Sequence, residues 1–357
     1  MVQVAERAFG TMRHPYLRIF VLLSLVACKP DVPEPIWKGE HLYYGTTRHE
    51  TVCRGSFFRQ EQHVVGLAAL LGASLPEVIH YTWVTEANLP DYCEGRGSLR
   101  GCSYDDAPYV FSIKSFHHHE LAHAVAGLAG LDGPIPFAEG FAEVFNDGGQ
   151  PDTDRLPIEG VLRNFESDGP GYYTMGLFSR FLIERHGLDV FADFLRSTDR
   201  TTTFAQFSPI FEDIFGEPIE TAMTDFETYP SCSEMDNRIA VVDCNLPLEP
   251  WQGQTVILSA TLGCGQDDVL GPTADNLMLT TRAFRVEQAG SYAFAPSTPE
   301  GVSGFRVIKC GSCWDSFDVT LASDATATHD LTPGRYYVLF GREVDSPAEL
   351  SLELTQL

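Results

Sequence analysis

The chain has 357 residues, with 49 acidic against 24 basic side chains and a formal charge of −25. That acidity excludes nucleic acid and anionic surfaces as partners, since both need a cationic face. The length suits two domains, and no internal repeat or low-complexity run interrupts it.

At the amino terminus, Arg13 and Arg18 precede the apolar run 19–27, and Cys28 follows at once. Such a run is too short to span a bilayer but suits the apolar region of a signal peptide. Leu25-Val-Ala-Cys28 resembles the lipobox of bacterial lipoproteins, in which the cysteine becomes the lipid-modified first residue. The resemblance implies that residues 1–27 are a signal peptide and that lipid on Cys28 tethers the protein to a membrane. Lys29, next to the cysteine, is similar to the sorting signal of outer-membrane lipoproteins. The alternative is a secretory signal peptide with Cys28 an ordinary cysteine. Loss of residues 1–27, which carry three Arg and one Glu, leaves a charge of −27. Residues 28–36 are rich in proline and read as an extended tether.

Residues 37–228 read as one catalytic unit. Strand-like runs at 40–46 and 78–84 flank a helical pattern at 60–71, and 107–115 alternates like a further strand. Strands first and helices after predict an α+β domain. The next segment is His119-Glu-Leu-Ala-His123, followed by an apolar helical pattern through Leu128. On a helix, residues four apart share a face, so both imidazoles can reach one Zn²⁺. Glu120 lies one step round, where it can take a proton from water attacking a carbonyl carbon. The competing reading is a surface helix with a His-rich start, His117-His118-His119.

A catalytic zinc site usually takes three protein ligands. The Gly/Pro stretch 130–136 ends the first helix, and a second can return antiparallel with Glu139 and Glu143 on one face. Either acid can serve as the third ligand. The helical pattern at 172–187 carries Tyr172 and Tyr173 at its start and Gly187 at its end. Either phenol near the metal could donate to a developing oxyanion, and Tyr172 fits better; packing at a helix start is the other reading. Apolar stripes at 204–214 and 219–226 predict helices that serve packing.

His119-Glu-Leu-Ala-His123 with Pro136-Phe-Ala-Glu139-Gly-Phe-Ala-Glu143 resembles the gluzincin metallopeptidases. The resemblance covers about residues 60–228 and implies a zinc metallopeptidase domain. It assigns Glu139 to zinc and gives Glu143 the orientation of a ligating histidine. There is one departure. The gap from His123 to Glu139 is 15 residues, shorter than is usual in the best-known members, whereas Glu143 follows after 19. Residues 172–187 are similar to a segment of small gluzincin-like proteins in which a Tyr precedes a helix.

Residues 229–249 form a junction containing Cys and Pro. Beyond it, 250–357 changes to short alternating runs at 254–262, 282–288, 290–296, 305–310, 316–321 and 336–341. These predict a small all-β sandwich. Its sequence is similar to the β-sandwich modules appended to secreted bacterial peptidases.

With Cys28 set aside, eight cysteines remain, an even number that predicts disulfides in an exported chain. Cys93–Cys102 and Cys232–Cys244 are the short-range pairs expected. Cys310 and Cys313 either bridge each other or pair with Cys264.

The sequence therefore predicts a lipid-anchored zinc metallopeptidase at the cell envelope, acting on a peptide or protein. His119, His123 and Glu139 would hold Zn²⁺, Glu120 would be the general base, and Tyr172 would support the oxyanion. Two alternatives stand beside it: a non-catalytic surface lipoprotein that keeps the fold for binding, and a hydrolase of non-peptide amides. Oligomeric state is left open.

Overall fold

The computed structural model describes residues 32–93, 100–104, 107–146, 155–165, 171–232, 238–299, 303–323 and 325–357. The predicted signal peptide and Cys28 lie outside them. No helix among the described residues is long and apolar enough to cross a membrane. Residues Pro33–Leu357 form one compact unit with two principal hydrophobic cores.

The first half opens with β1 (Trp37–Lys38), β2 (Leu42–Thr46), α1 (Gly55–Leu70), β3 (Ile79–Trp83), α2 (Leu89–Tyr92), β4 (Gly101–Ser103) and β5 (Tyr109–Ser112). Helices α3 (His118–Leu128), α4 (Ile135–Val144), α5 (Ile158–Arg163), α6 (Gly171–His186), α7 (Leu188–Arg196), α8 (Phe204–Phe215) and α9 (Ile219–Phe226) follow. The strands form one sheet in the order β1-β2-β3-β5-β4. Its centre, β2-β3-β5, is parallel, and both outer strands are antiparallel to their neighbours. Mixed helices and strands establish the α+β class. The elements at 40–46, 60–71, 78–84, 172–187, 204–214 and 219–226 all form, with α1 starting five residues earlier than expected.

Three aromatic side chains from this sheet hold the loop that enters α3. Tyr44 donates to the carbonyl of Ser115 (2.8 Å), Tyr81 to that of Lys114 (2.7 Å) and Trp83 Nε1 to that of Ile113 (2.9 Å). Successive buried carbonyls thus find partners, and α3 starts from a fixed point. The helix is buried along most of its length and packs on α1, α4, β4 and β5. The surface-helix reading of the His-rich start is therefore corrected: His117, His118 and His119 are all buried. His118 stacks on His63 of α1 with ring centroids 4.0 Å apart, and His117 Nδ1 lies 2.9 Å from Ser112 Oγ.

The second half consists of β6 (Thr255–Leu262), β7 (Leu277–Val286), β8 (Gly290–Ser297), β9 (Ser303–Cys310), β10 (Asp318–Leu321), β11 (Ala327–Leu331), β12 (Gly334–Glu343) and β13 (Ala348–Gln356). They build two four-stranded antiparallel sheets, β10-β9-β12-β7 and β11-β8-β13-β6, around the second core. Two of these strands, β11 and β13, are absent from the sequence reading.

Four disulfides form: Cys53–Cys264, Cys93–Cys102, Cys232–Cys313 and Cys244–Cys310. The Cys93–Cys102 expectation holds. Cys232–Cys244 does not, and neither expectation for Cys310 and Cys313 does. Cys244 meets the end of β9 and Cys232 meets the turn beyond it. Gly311, at φ +148°, separates the two partners. Three bridges thus tie the sandwich to segments that precede it.

A single sandwich loop also seats the first half. Gly271 O accepts from Cys53 N (2.8 Å), and Ser56 Oγ accepts from Gly271 N (2.9 Å). Pro272 O accepts from Ser115 Oγ (2.7 Å). Gly55, at the start of α1, lies so close to Asp268 and Val269 that a Cβ there would overlap their backbone.

Candidate metal centre

Helices α3 and α4 supply the centre. His119 Nε2 lies 3.2 Å from His123 Nε2 and 3.2 Å from Glu139 Oε2. Glu139 Oε2 is 3.1 Å from His123 Nε2. These three side chains form a group that could hold a metal ion. Ligands about 2.0–2.2 Å from a tetrahedral Zn²⁺ stand about 3.3–3.5 Å from one another, and the donor atoms, 3.1–3.2 Å apart, lie within a few tenths of an ångström of that spacing. The donor chemistry fits as well: two imidazole nitrogens and a carboxylate oxygen are ligands that suit Zn²⁺.

The position of Glu139 depends on its neighbour. Gly140 faces α6, where a Cβ would overlap Ser179 Oγ and the carbonyl of Met175. Bare backbone at this position lets α4 lie close against α6 and turns residue 139 toward α3. Glu143, one turn on, does not join the donor group. Its Oε1 lies 2.9 Å from His119 Nδ1, the other nitrogen of the same ring, and Asn146 Nδ2 donates to its Oε2 (3.3 Å). The two acids that the sequence left as alternatives thus occupy opposite sides of His119.

Burial lowers the pKa of His119, but hydrogen bonds with Glu139 and Glu143 outweigh it and hold the ring well above the ordinary histidine range. Burial raises Glu139 and Glu143, yet their histidine partners bring both below the usual carboxylate range. Glu120 is buried next to this cluster. Desolvation pushes its carboxyl up, His119 and His123 pull it down, and the net shift is upward. Gly101 of β4 makes room for it, since a Cβ there would crowd Glu120 Cγ and His117 Nδ1.

The half-buried Tyr172 stands on α6 with its ring 6.0 Å from that of His119 and 5.5 Å from Phe165. Tyr173 points elsewhere: its hydroxyl donates to Cys232 O at 2.8 Å, in the packing between α6 and the junction. Two contributors escaped the sequence reading. Asn146, just beyond the end of α4, was detectable as a polar residue three positions after Glu143. Arg200, whose Nη2 is 3.9 Å from Glu139 Oε1, gave no signal because it arrives on a turn far along the chain.

A cleft of about 470 Å³ opens beside His123. It runs along the C-terminal half of α3 toward Leu131, with Phe141 and Arg200 in its walls.

No family model matches the chain, and no curated protein matches it. Among solved structures, a periplasmic inhibitor of g-type lysozyme from Aeromonas hydrophila is similar over 29% of this chain and 87% of its own, with 10% identity and a TM-score of 0.22. The pre-peptidase C-terminal domain of a Bacillus anthracis collagenase is similar over 30% of this chain and 88% of its own, with 13% identity and a TM-score of 0.20. Similarities at these TM-scores carry no argument about this chain.

Proposed function

We propose that the chain is a zinc-dependent peptidase of the gluzincin kind. The observation that carries the reading is the convergence of His119, His123 and Glu139 on one point, with Glu120 buried at its side. His119, His123 and Glu139 would hold the Zn²⁺. When bound there, zinc supplies Lewis acidity, polarising a carbonyl and bringing the pKa of water near neutrality.

The chain's own groups do the rest. Glu143 orients His119 through Nδ1, which leaves Nε2 for the metal. Glu120 accepts a proton as water oxygen bonds to the carbonyl carbon. It then passes that proton to the amide nitrogen as the C–N bond breaks. Its raised pKa suits it to both transfers. Tyr172, whose ring lies 6.0 Å from that of His119, would donate from its phenol to the developing oxyanion. The outer strand β4, beside Glu120, offers an edge along which an extended peptide can align.

The reading extends to location. Four disulfides suit an oxidising compartment, which agrees with export and with lipid attachment at Cys28. Replacement Cys28→Ser should abolish labelling by a fatty-acid analogue in a bacterial host, and unchanged labelling would refute the anchor.

Zinc content and peptide turnover, measured on wild type and His123→Ala, test the function. About one zinc per chain in wild type alone, with cleavage of a mixed peptide library, is the expected result. Zinc without turnover of any peptide would leave a metal-binding surface protein. A folded wild type that takes up no zinc would overturn the reading altogether.

A further inference from the structure

Glu139 carries two oxygens, and the fold treats them differently. Oε2 faces the donor nitrogens of His119 and His123 at 3.2 and 3.1 Å. Oε1 forms an ion pair with Arg200, whose Nη2 lies 3.9 Å from it. The same guanidinium pairs at its Nε edge with Asp132, 3.7 Å away. An acid, an arginine and a second acid thus stand in series, and the second acid is the one that meets the histidines.

Both ends of the series are fixed by the fold. Asp132 precedes Gly133, whose N–H donates to Leu195 O (3.1 Å) on α7. At φ +63°, and where a Cβ would meet the Leu195 side chain, only glycine suits this position. Arg200 leaves a turn in which the Asp199 carboxylate accepts from Thr201 N (2.8 Å), Thr201 Oγ1 (2.6 Å) and Thr202 Oγ1 (3.1 Å). Before that turn, Thr198 Oγ1 donates to Phe194 O (2.8 Å). After it, Thr203 and Gln206 form the capping box that starts α8. The arginine therefore reaches Glu139 from backbone that is held on both sides.

The pairing matters because a carboxylate can bind a metal ion through one oxygen or through both. A catalytic zinc site takes three protein ligands and keeps one position open. Ligation by both oxygens of Glu139 would fill that position. A cation beside Oε1 opposes this, because it attracts that oxygen and repels any metal ion moving toward it. A lone guanidinium would itself be driven off by the metal charge. Its second ion pair, with Asp132, offsets that repulsion.

We propose that Arg200 is a positioning residue that restricts Glu139 to one-oxygen ligation through Oε2, so that the metal centre keeps its open position. The inference deepens the reading above and rests on its metal centre, whichever bond the protein cuts. It uses the arginine in the ion pairs it already makes.

Cobalt(II) in place of zinc reports the number of ligands. A tetrahedral site lacks a centre of symmetry and absorbs strongly in the visible range, and a fifth ligand weakens that absorption. The test uses the full chain, wild type beside Arg200→Gln, Arg200→Lys and Asp132→Asn, each stripped of metal and titrated with Co²⁺. Wild type should take up about one cobalt per chain with the strong absorption of four ligands. Arg200→Gln should also bind about one cobalt but lose much of the absorption. Arg200→Lys should retain most of it, and Asp132→Asn should fall between wild type and Arg200→Gln. Circular dichroism identifies any variant that fails to fold, and the remaining variants then decide. An Arg200→Gln spectrum equal to that of wild type would overturn the proposal. So would loss of cobalt from folded Arg200→Gln, since the arginine would then govern whether the ligands bind and not how Glu139 binds.

Turnover separates this result from the fate of the peptidase reading. In a wild type that cleaves peptides, Arg200→Gln should lower kcat of the zinc form by on the order of 10–100-fold. A spectral change in a protein that cleaves nothing supports the role of Arg200 and removes the peptidase. Cleavage by wild type with an unchanged Arg200→Gln spectrum leaves the peptidase standing and removes the role of Arg200. A wild type that binds no cobalt would overturn both.

Discussion

The two halves of the molecule bury different things. Around α3, the interior holds His63, His117, His118, His119, Glu120, Glu143, Asn146, Arg59 and Arg238. Among the described residues of the sandwich, the buried polar side chains reduce to Thr280, Thr281, Lys309 and Arg342. Alternation explains the second half: Val256, Leu258, Ala260 and Leu262 of β6 point inward, while the residues between them face water. Its core is close to pure hydrocarbon and aromatic surface. The helical half carries a buried cluster of ionisable groups whose desolvation must be offset by pairing, and a bound cation would complete that pairing. Costly burial is thus concentrated in the helical half, while the sandwich is built on apolar packing.

The sharpest way to break this contrast is Glu120→Gln. It should keep zinc and lower kcat by on the order of 10²–10⁴, measured by turnover beside metal analysis. A variant that retains activity would mean that the buried acid is structural.

The pair Glu139→Gln and Glu143→Gln comes next. The first should lose most of its zinc, and the second should keep the metal with affinity about 10–100-fold weaker. Equilibrium dialysis reads both, and the reverse pattern would exchange the two roles.

Acidity tests the same cluster. The pKa of His119 is raised, so its proton competes with the metal above the ordinary histidine range. Zinc affinity should therefore continue to rise as pH climbs past that range, and it should fall as pH drops. An affinity already flat above neutral pH in a competition titration would contradict the arrangement.

The smallest effects compare packing. Gly140→Ala pushes against α6 and should cost about 1–3 kcal/mol in chemical denaturation while weakening zinc binding. Gly304→Ala in β9 meets nothing within 4 Å and should stay within about 0.5 kcal/mol. Equal costs at the two glycines would erase the distinction between a positioned and an unpositioned backbone.

What could be read in advance follows the same division. His119 and His123 were legible because helix geometry alone brings them together. Spacing alone did not separate Glu139 from Glu143, although the resemblance favoured Glu139, because the answer lies in how α4 crosses α3. That crossing is set by the contact of Gly140 with α6, which no spacing rule contains. Most of the sandwich strands were legible from their alternation, but β11, an outer strand with polar Thr328, His329 and Asp330, carries no such pattern. Strand β13 did carry it, in Leu350, Leu352 and Leu354, and was available to be read. The long-range disulfides were beyond reach, since Cys53 and Cys264 are 211 residues apart and only the docking of the two halves brings them together.

The hydrogen bond from Ser115 to Pro272 has a consequence for the order in which the molecule can be completed. Ser115 stands at the threshold of α3, and its acceptor is translated 157 residues later. A chain is made amino terminus first, so α3 emerges while the loop that seats it has yet to be made. The helix that carries His119 and His123 therefore gains this anchor only in the last third of synthesis.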